Sequence, residues 1–248
     1  MLHLFQCWSE VAARLRAAQT ILLFLDFDGT LAPISAVPKD AALVHSTRRV
    51  LRRLAIRPGV RVSVISGRGQ EDLRRLVRVP GVHYLGSHGM GDRVLDGATK
   101  AALEEARKDL IGRLNGSAHL FIEDKEASFA VHYRGADSRV LRNADSSLRE
   151  AIASRAGELR ILQGDHAWEV LPREVGGKGA AALKYWRSLR GALPVYVGND
   201  GTDEPAFEAL SSGVTVRVGP ARASKAHFQL RDPDEVRVFL EKLEREVR

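Results

Sequence analysis

The sequence predicts an α/β fold in which an open parallel sheet with helices on its faces is interrupted by an inserted α+β domain. Three observations carry that prediction. Short apolar runs alternate with helical patterns over the first ninety residues, the middle of the chain pairs its strands as hairpins, and the alternation then returns. The two outer parts therefore form one discontinuous domain, residues 1–91 and 173–248, and residues 92–172 form the second. A chain of 248 residues is long enough for both.

Each element has a local reason. Leu4, Trp8, Val11 and Leu15 repeat at helical spacing, so residues 2–19 are expected to form an amphipathic helix. Glu10, Arg14 and Arg16 interrupt the apolar core that a secretory signal needs. Residues 21–25 are an apolar strand, followed by a Gly-containing loop and a helical stretch through Val50, Leu51 and Leu54. Residues 60–65 form the next strand, with a helix near 71–77 and a short strand at 83–85. In the middle, Leu103, Ala106, Leu110 and Leu114 make a helical stripe. Residues 119–123 and 128–133 read as a hairpin, 138–153 as a helix, and 159–163 with 167–171 as a second hairpin. That order predicts a small antiparallel sheet with two helices on one face. Afterwards come a helix over 178–189, a strand at 194–197, a helix over 202–210, a strand at 214–218 and a charged amphipathic helix over 232–247.

Composition narrows the function. Apolar residues make up 44% and charged residues 28%, the balance of a globular chain. The net charge is +7, but the basic residues are spread along the chain without a polybasic block or interleaved aromatics. That pattern fits an anionic small molecule and argues against nucleic acid as a partner. Of the 38 basic residues 30 are Arg, so each of the 8 Lys is informative. Cys7 is the only cysteine, which excludes an intramolecular disulfide and a Cys-based metal site. No apolar run reaches ~18 residues, so no membrane span is expected. A cytoplasmic monomer is the expectation.

Chemistry concentrates at strand ends. Leu23-Phe24-Leu25 runs into Asp26-Phe27-Asp28-Gly29-Thr30. In open α/β sheets ligands bind beyond the carboxyl ends of the strands. Two carboxylates there repel each other, and a hard divalent cation with oxygen ligands relieves the repulsion. Asp26 and Asp28 read alternatively as turn formers. The signal repeats, however, where Val195–Val197 runs into Gly198-Asn199-Asp200-Gly201-Thr202-Asp203-Glu204. Ser66, in Ser66-Gly67-Arg68 after a strand and before a helix, is either a phosphate-binding hydroxyl or a plain helix cap. Lys178 follows Gly176-Gly177 at a helix start, where the dipole disfavours a cation. It either reaches an anion or is a solvated lysine after a Gly linker.

Taken in order, these four elements resemble the haloacid dehalogenase-like (HAD) phosphatase superfamily. The resemblance implies a Rossmann-like HAD core with a parallel sheet, carrying an α+β cap that closes over the site and selects the substrate. It implies that Asp26 attacks phosphorus and becomes an aspartyl phosphate, while Asp28 protonates the leaving alcohol and later activates water. It further implies Mg²⁺ held by Asp26, the backbone carbonyl of Asp28, and Asp200, with Asp203 in support. Ser66 and Lys178 would hold the phosphate.

The inserted segment sharpens the family. Glu123-Asp124-Lys125 before Ser128, Val131-His132-Tyr133-Arg134, and Trp168-Glu169-Val170-Leu171-Pro172 resemble segments of trehalose-6-phosphate phosphatases. So do Ile65-Ser66-Gly67-Arg68 and Thr202-Asp203-Glu204. By that resemblance Glu123, Lys125 and Glu169 hydrogen-bond sugar hydroxyls, and Arg134 approaches the phosphate or the sugar. Arg68 and His88, the latter just past a strand end, join them as substrate-binding candidates. A solvated Glu123–Lys125 ion pair and an ordinary strand Glu169 remain the bland alternatives. Two departures stand out: Gly89-Met90-Gly91-Asp92, and Asn199 where the family often has Asp. The expected activity is Mg²⁺-dependent hydrolysis of trehalose 6-phosphate to trehalose and phosphate. The alternatives are a related phosphatase acting on a sucrose, glucosylglycerol or mannosylglycerate phosphate, and a non-catalytic subunit. The last is disfavoured because every catalytic position is retained.

Overall fold

Strand β2 (Ile21–Leu25) lies in the middle of a seven-stranded sheet and is buried on both faces. Ile21, Leu23 and Leu25 enter one apolar core while Leu22 and Phe24 enter another on the opposite face. That two-sided burial is why the strand reads as an unbroken apolar run. Each such side chain contributes about 2 kcal/mol through the water-exposed surface it removes. The computed structural model describes residues 1–35, 41–125, 127–164, 166–220 and 222–247.

The described residues divide into two compact units, Met1–Gly91 with Gly177–Arg248, and Asp92–Gly176. The second boundary lies at Gly176 rather than Pro172, so the turn after the last strand of the smaller unit stays with that unit. In the larger unit the sheet order is β1-β11-β10-β9-β2-β3-β4, with every described pairing parallel. Its remaining strands are β1 (Leu2–His3), β3 (Val60–Ile65), β4 (His83–Leu85), β9 (Leu193–Gly198), β10 (Val214–Val218) and β11 (Phe228–Leu230). Its helices are α1 (Trp8–Ala17), α2 (His45–Ala55), α3 (Gln70–Val77), α6 (Gly177–Ser188), α7 (Glu204–Ala209) and α8 (Pro233–Glu246). From β2 the chain proceeds outward through β3 and β4; from β9, its other neighbour, it proceeds the opposite way through β10 and β11. Neighbouring strands whose connections diverge open a crevice at their carboxyl ends.

The N-terminus corrects the expected helix over 2–19. Leu2 and His3 instead pair with Phe228 and Gln229, a 3₁₀ turn covers Leu4–Cys7, and α1 begins at Trp8. The open edge of β11 offers unpaired backbone groups, and satisfying them outweighs one more helical turn. Leu4, Val11 and Leu15 are buried all the same.

The smaller unit is an antiparallel sheet of order β5-β6-β8-β7. Its strands are β5 (Phe121–Lys125), β6 (Ser128–His132), β7 (Leu159–Gly164) and β8 (Ala167–Pro172). Its helices are α4 (Gly97–Leu114) and α5 (Ser138–Ala153). Phe129, Val131, Trp168 and Val170 share one core with Ala106, Leu110, Ala144 and Leu148 of the helices. Asp96 and Asp137 cap those helices by accepting backbone N–H bonds.

Candidate active site

The register that aligns Leu25 with Val197 brings the ends of β2 and β9 side by side. Asp26 is the first residue past β2, and its N–H donates to the Val197 carbonyl at 2.9 Å. Gly29 turns the chain with φ +80°, and a Cβ there would lie 2.2 Å from the Asn199 side-chain nitrogen. Only glycine meets both demands. Thr30 Oγ1 then donates back to Asp26 Oδ2 at 3.2 Å and lies 3.5 Å from Asn199 Oδ1.

Lys178, on the first turn of α6, reaches this junction. Its Nζ lies 2.7 Å from Asp26 Oδ1, 3.0 Å from Asp203 Oδ1 and 4.0 Å from Asp200 Oδ1. Asp203 is wholly buried and also accepts the Tyr196 hydroxyl at 2.8 Å and the N–H groups of Asn199 and Asp200 at 2.9 and 3.1 Å. A Cβ on Gly198 would stand 2.4 Å from the Asp203 carboxyl carbon, so glycine is needed for this close approach. Asp200 accepts the Thr202 N–H and hydroxyl at 2.8 and 2.6 Å. Arg217 of β10 donates to the Asn199 carbonyl at 3.0 Å and steadies the loop from the other side.

The electrostatics follow from this crowding. Burial pushes the Asp26 pKa well above the usual carboxylate range; Lys178 opposes that, while Asp203 and Asp200 add to it. Burial likewise raises Asp203 against the pull of Lys178. Burial also works to raise Asp200, but Lys178 and the two Thr202 bonds outweigh it and hold Asp200 low. Burial would discharge Lys178, yet Asp203 and Asp26 overcome it and keep the ammonium charged. Two buried carboxylates and the partly exposed Asp200 thus face one cation.

Among the described residues no group of three or more His, Cys, Asp or Glu side chains is placed to hold a metal. The set implied by the motifs is smaller in side chains, namely Asp26, Asp200 and the Asp28 carbonyl. It is all oxygen, and the excess negative charge around Lys178 is of the kind a divalent cation balances. That donor chemistry fits Mg²⁺, which prefers oxygen ligands and keeps several waters.

The remaining candidates of this unit lie on neighbouring strand ends. Asp28 is gripped by the guanidinium fork of Arg68, Nε to Oδ2 at 2.6 Å and Nη2 to Oδ1 at 2.7 Å. Arg68 also pairs with Asp72 at 3.0 Å and lies over the Phe27 ring. Its bonds to Asp28 and Asp72 outweigh burial and hold the guanidinium firmly charged. Arg68 is therefore placed as a support for Asp28. Ser66 is buried and its Oγ accepts the Arg68 N–H at 3.2 Å. The N-cap of α3 is Gly69, so Ser66 is not that helix's cap. His88 is buried with φ +55°, and its N–H donates to the Ser66 carbonyl at 2.8 Å. A Cβ on Gly67 would meet the His88 ring at 2.7 Å, so that glycine makes room for the imidazole.

The other four candidates belong to the smaller unit. Glu123, Ala130 and Glu169 are aligned across β5, β6 and β8. Lys125 Nζ lies 2.7 Å from Glu169 Oε1 and 3.5 Å from Glu123 Oε2, and His132 Nε2 lies 2.9 Å from Glu123 Oε2. Burial works to lower the Lys125 pKa, but Glu169 and Glu123 outweigh it and raise it. Burial works to raise Glu123, but His132 and Lys125 outweigh it and hold it low. Arg134 lies in the turn after β6 and is exposed. Sequence reasoning did not single out Tyr196 or Arg217, and it quoted Thr202 only as part of its motif, without a role. The available signal was a tyrosine and an arginine set among the valines of two buried strands.

The family model for trehalose-phosphatase matches residues 24–234. Probable trehalose-phosphate phosphatase 4 of Oryza sativa subsp. japonica is 30% identical over 257 residues, covering 95% of this chain and 69% of that one. An uncharacterized glycosyl hydrolase of Mycobacterium tuberculosis is 35% identical over 259 residues; the match covers 96% of this chain and only 19% of that longer protein. Among solved structures, the C. albicans trehalose-6-phosphate phosphatase C-terminal domain shares the fold with a TM-score of 0.80 at 22% identity, covering 95% of this chain and 96% of that one.

Proposed function

The chain belongs to the trehalose-phosphatase family, and from that premise we propose that it hydrolyses trehalose 6-phosphate to trehalose and phosphate through a phosphorylated Asp26, with Mg²⁺ as cofactor. It is a phosphatase, a phosphoric monoester hydrolase. The observation that carries the mechanism is the buried Lys178 ammonium held between Asp26 and Asp203, with Asp200 beside it.

A carboxylate nucleophile divides hydrolysis into two displacements. Asp26 forms a bond to phosphorus as the bond from phosphorus to the sugar oxygen breaks. Asp28, freed from the Arg68 fork and carrying a proton taken from solvent, gives that proton to the sugar oxygen. Water then attacks the acyl phosphate, Asp28 takes the water proton, and Asp26 and inorganic phosphate are released. Lys178 and the Ser66 hydroxyl are the chain's own groups for the phosphoryl oxygens. Mg²⁺, bound by Asp26, Asp200 and the Asp28 carbonyl, would supply charge neutralisation at the phosphoryl group. Glu123, Lys125 and Glu169 supply the acceptors and donors that sugar hydroxyls need.

Phosphate release across a panel of sugar phosphates, with and without EDTA, tests this reading. It predicts at least ~10-fold higher kcat/KM for trehalose 6-phosphate than for the other phosphates, about 1.4 kcal/mol, and activity that EDTA removes and Mg²⁺ restores. Equal use of sucrose phosphate, or EDTA-resistant turnover, would refute the specific assignment.

A further inference from the structure

The open question on the smaller unit is what one exposed aromatic does beside its polar cluster. Phe121 opens β5 and is 58% exposed. It is opposite His132, and His132 is opposite Ala167, so the three form one rung across the sheet. The next rung is Glu123, Ala130 and Glu169, and the one beyond begins with Lys125 and Ser128. Side chains two apart on a strand share a face, so all three rungs line the same face. The helix-facing core uses the alternate residues Ile122, Phe129, Val131, Trp168 and Val170.

The aromatic rung is a built feature. The Phe121 and His132 rings stack with centroids 5.9 Å apart at 27°. The His132 ring is held in turn by its 2.9 Å bond to Glu123. Ala130 and Ala167 add only a methyl group each and lie buried beneath their neighbours, so the ring and the polar groups form the outer surface of this face. At the far end, Ser128 is buried and its Oγ has no hydrogen-bond partner among the described residues. Such a hydroxyl is costly unless something bonds it. From Phe121 to Lys125 the face extends roughly 13 Å at about 3.3 Å per residue, longer than one hexose ring.

We propose that Phe121, stacked on His132, is an apolar ledge for one ring of a disaccharide whose hydroxyls are taken by Glu123, Lys125, Ser128 and Glu169. A pyranose has an apolar face of C–H groups and a rim of hydroxyls. An aromatic face suits the first, and carboxylates with an ammonium suit the second. The ledge selects two-ring substrates over one-ring ones. This rests on the sugar-phosphatase reading above.

The test compares Phe121→Ala, Phe121→Trp and wild type. Phe121→Ala is expected to raise KM for trehalose 6-phosphate and the inhibition constant of trehalose by ~5–10-fold, with kcat within about 2-fold. The inhibition constant of inorganic phosphate should not move, and Phe121→Trp should restore KM. Unchanged constants for both sugars in Phe121→Ala would overturn the ledge. So would a parallel weakening of inorganic phosphate. If instead the wild type sediments as a dimer that Phe121→Ala dissociates with KM unchanged, the ring is an edge-strand contact between copies and the proposal fails. Should wild type prefer another disaccharide phosphate, the trehalose assignment fails while the ledge stands or falls on that substrate. A preference for a monosaccharide phosphate would defeat both.

Discussion

Lys178 is buried and Lys125 nearly so, and each bridges two carboxylates, yet their surroundings are balanced differently. Lys178 faces Asp26, Asp200 and Asp203, and burial raises the Asp26 and Asp203 pKa values, Asp26 the further. Lys125 faces Glu123 and Glu169 with His132 also present, and Glu123 stays low. The first cluster sets three acids around one lysine, and in the proposed reading a divalent cation balances the surplus. The second sets only two acids around its lysine, and in the proposed reading sugar hydroxyls complete it. The proposed reading gives the same pairing of residue types chemistry in one unit and recognition in the other, and the observed difference lies in the count of acids around the lysine.

Substitutions break the comparison in graded ways. Asp26→Asn should remove at least ~10⁴-fold of kcat, as loss of a nucleophile does. Its melting temperature should not fall, because one of three crowded carboxylates is gone. Steady-state kinetics and calorimetry read both. Lys178→Met should lose activity and also about 3–5 kcal/mol of stability, since it leaves buried carboxylates unpaired; urea denaturation measures this. Lys125→Met should act on binding, raising KM by ~10–100-fold, the worth of charged hydrogen bonds, with kcat nearly preserved. A fall in kcat equal to the rise in KM would erase the distinction between the two lysines. Tyr196→Phe removes one donor to Asp203 and should lower kcat ~3–10-fold, the worth of about 1 kcal/mol, with KM for substrate little changed.

The smallest effect lies away from both clusters. Glu235 takes bonds from Arg231 and His3, which outweigh burial and hold its pKa low. A folded pKa below the unfolded one gives stability that is present above the unfolded value of about 4.3 and lost as pH falls through the folded value. Glu235→Gln should therefore be about 1 kcal/mol less stable at pH 7, with the gap closing in acid. A gap constant from pH 7 to pH 3 would contradict the pairing.

The strand-end motifs were legible because chemistry interrupts an apolar run: Leu25 leads straight into Asp26, and Val197 leads through Gly198 into Asn199 and Asp200, each at the end of a strand buried along most or all of its length. The fold class was legible from the same alternation. The N-terminal strand was not, because a two-residue strand has no period and exists only through its partner β11. Nor was the Arg68 fork on Asp28, whose residues lie 40 positions apart and meet only because β2 and β3 are neighbours. Tyr196 was hidden for a further reason. In a valine-rich strand a tyrosine reads as core packing, and only the fold places its hydroxyl on Asp203.

The central claim is that phosphorus passes through Asp26. Mixing the enzyme and Mg²⁺ with trehalose 6-phosphate labelled in the phosphoryl group, quenching in acid within one turnover and mapping the labelled peptide tests it most directly. The account predicts an acid-stable, hydroxylamine-sensitive label on the peptide containing Asp26, absent from Asp26→Asn. A label on another residue, or full-rate phosphate release in Asp26→Asn, would contradict it.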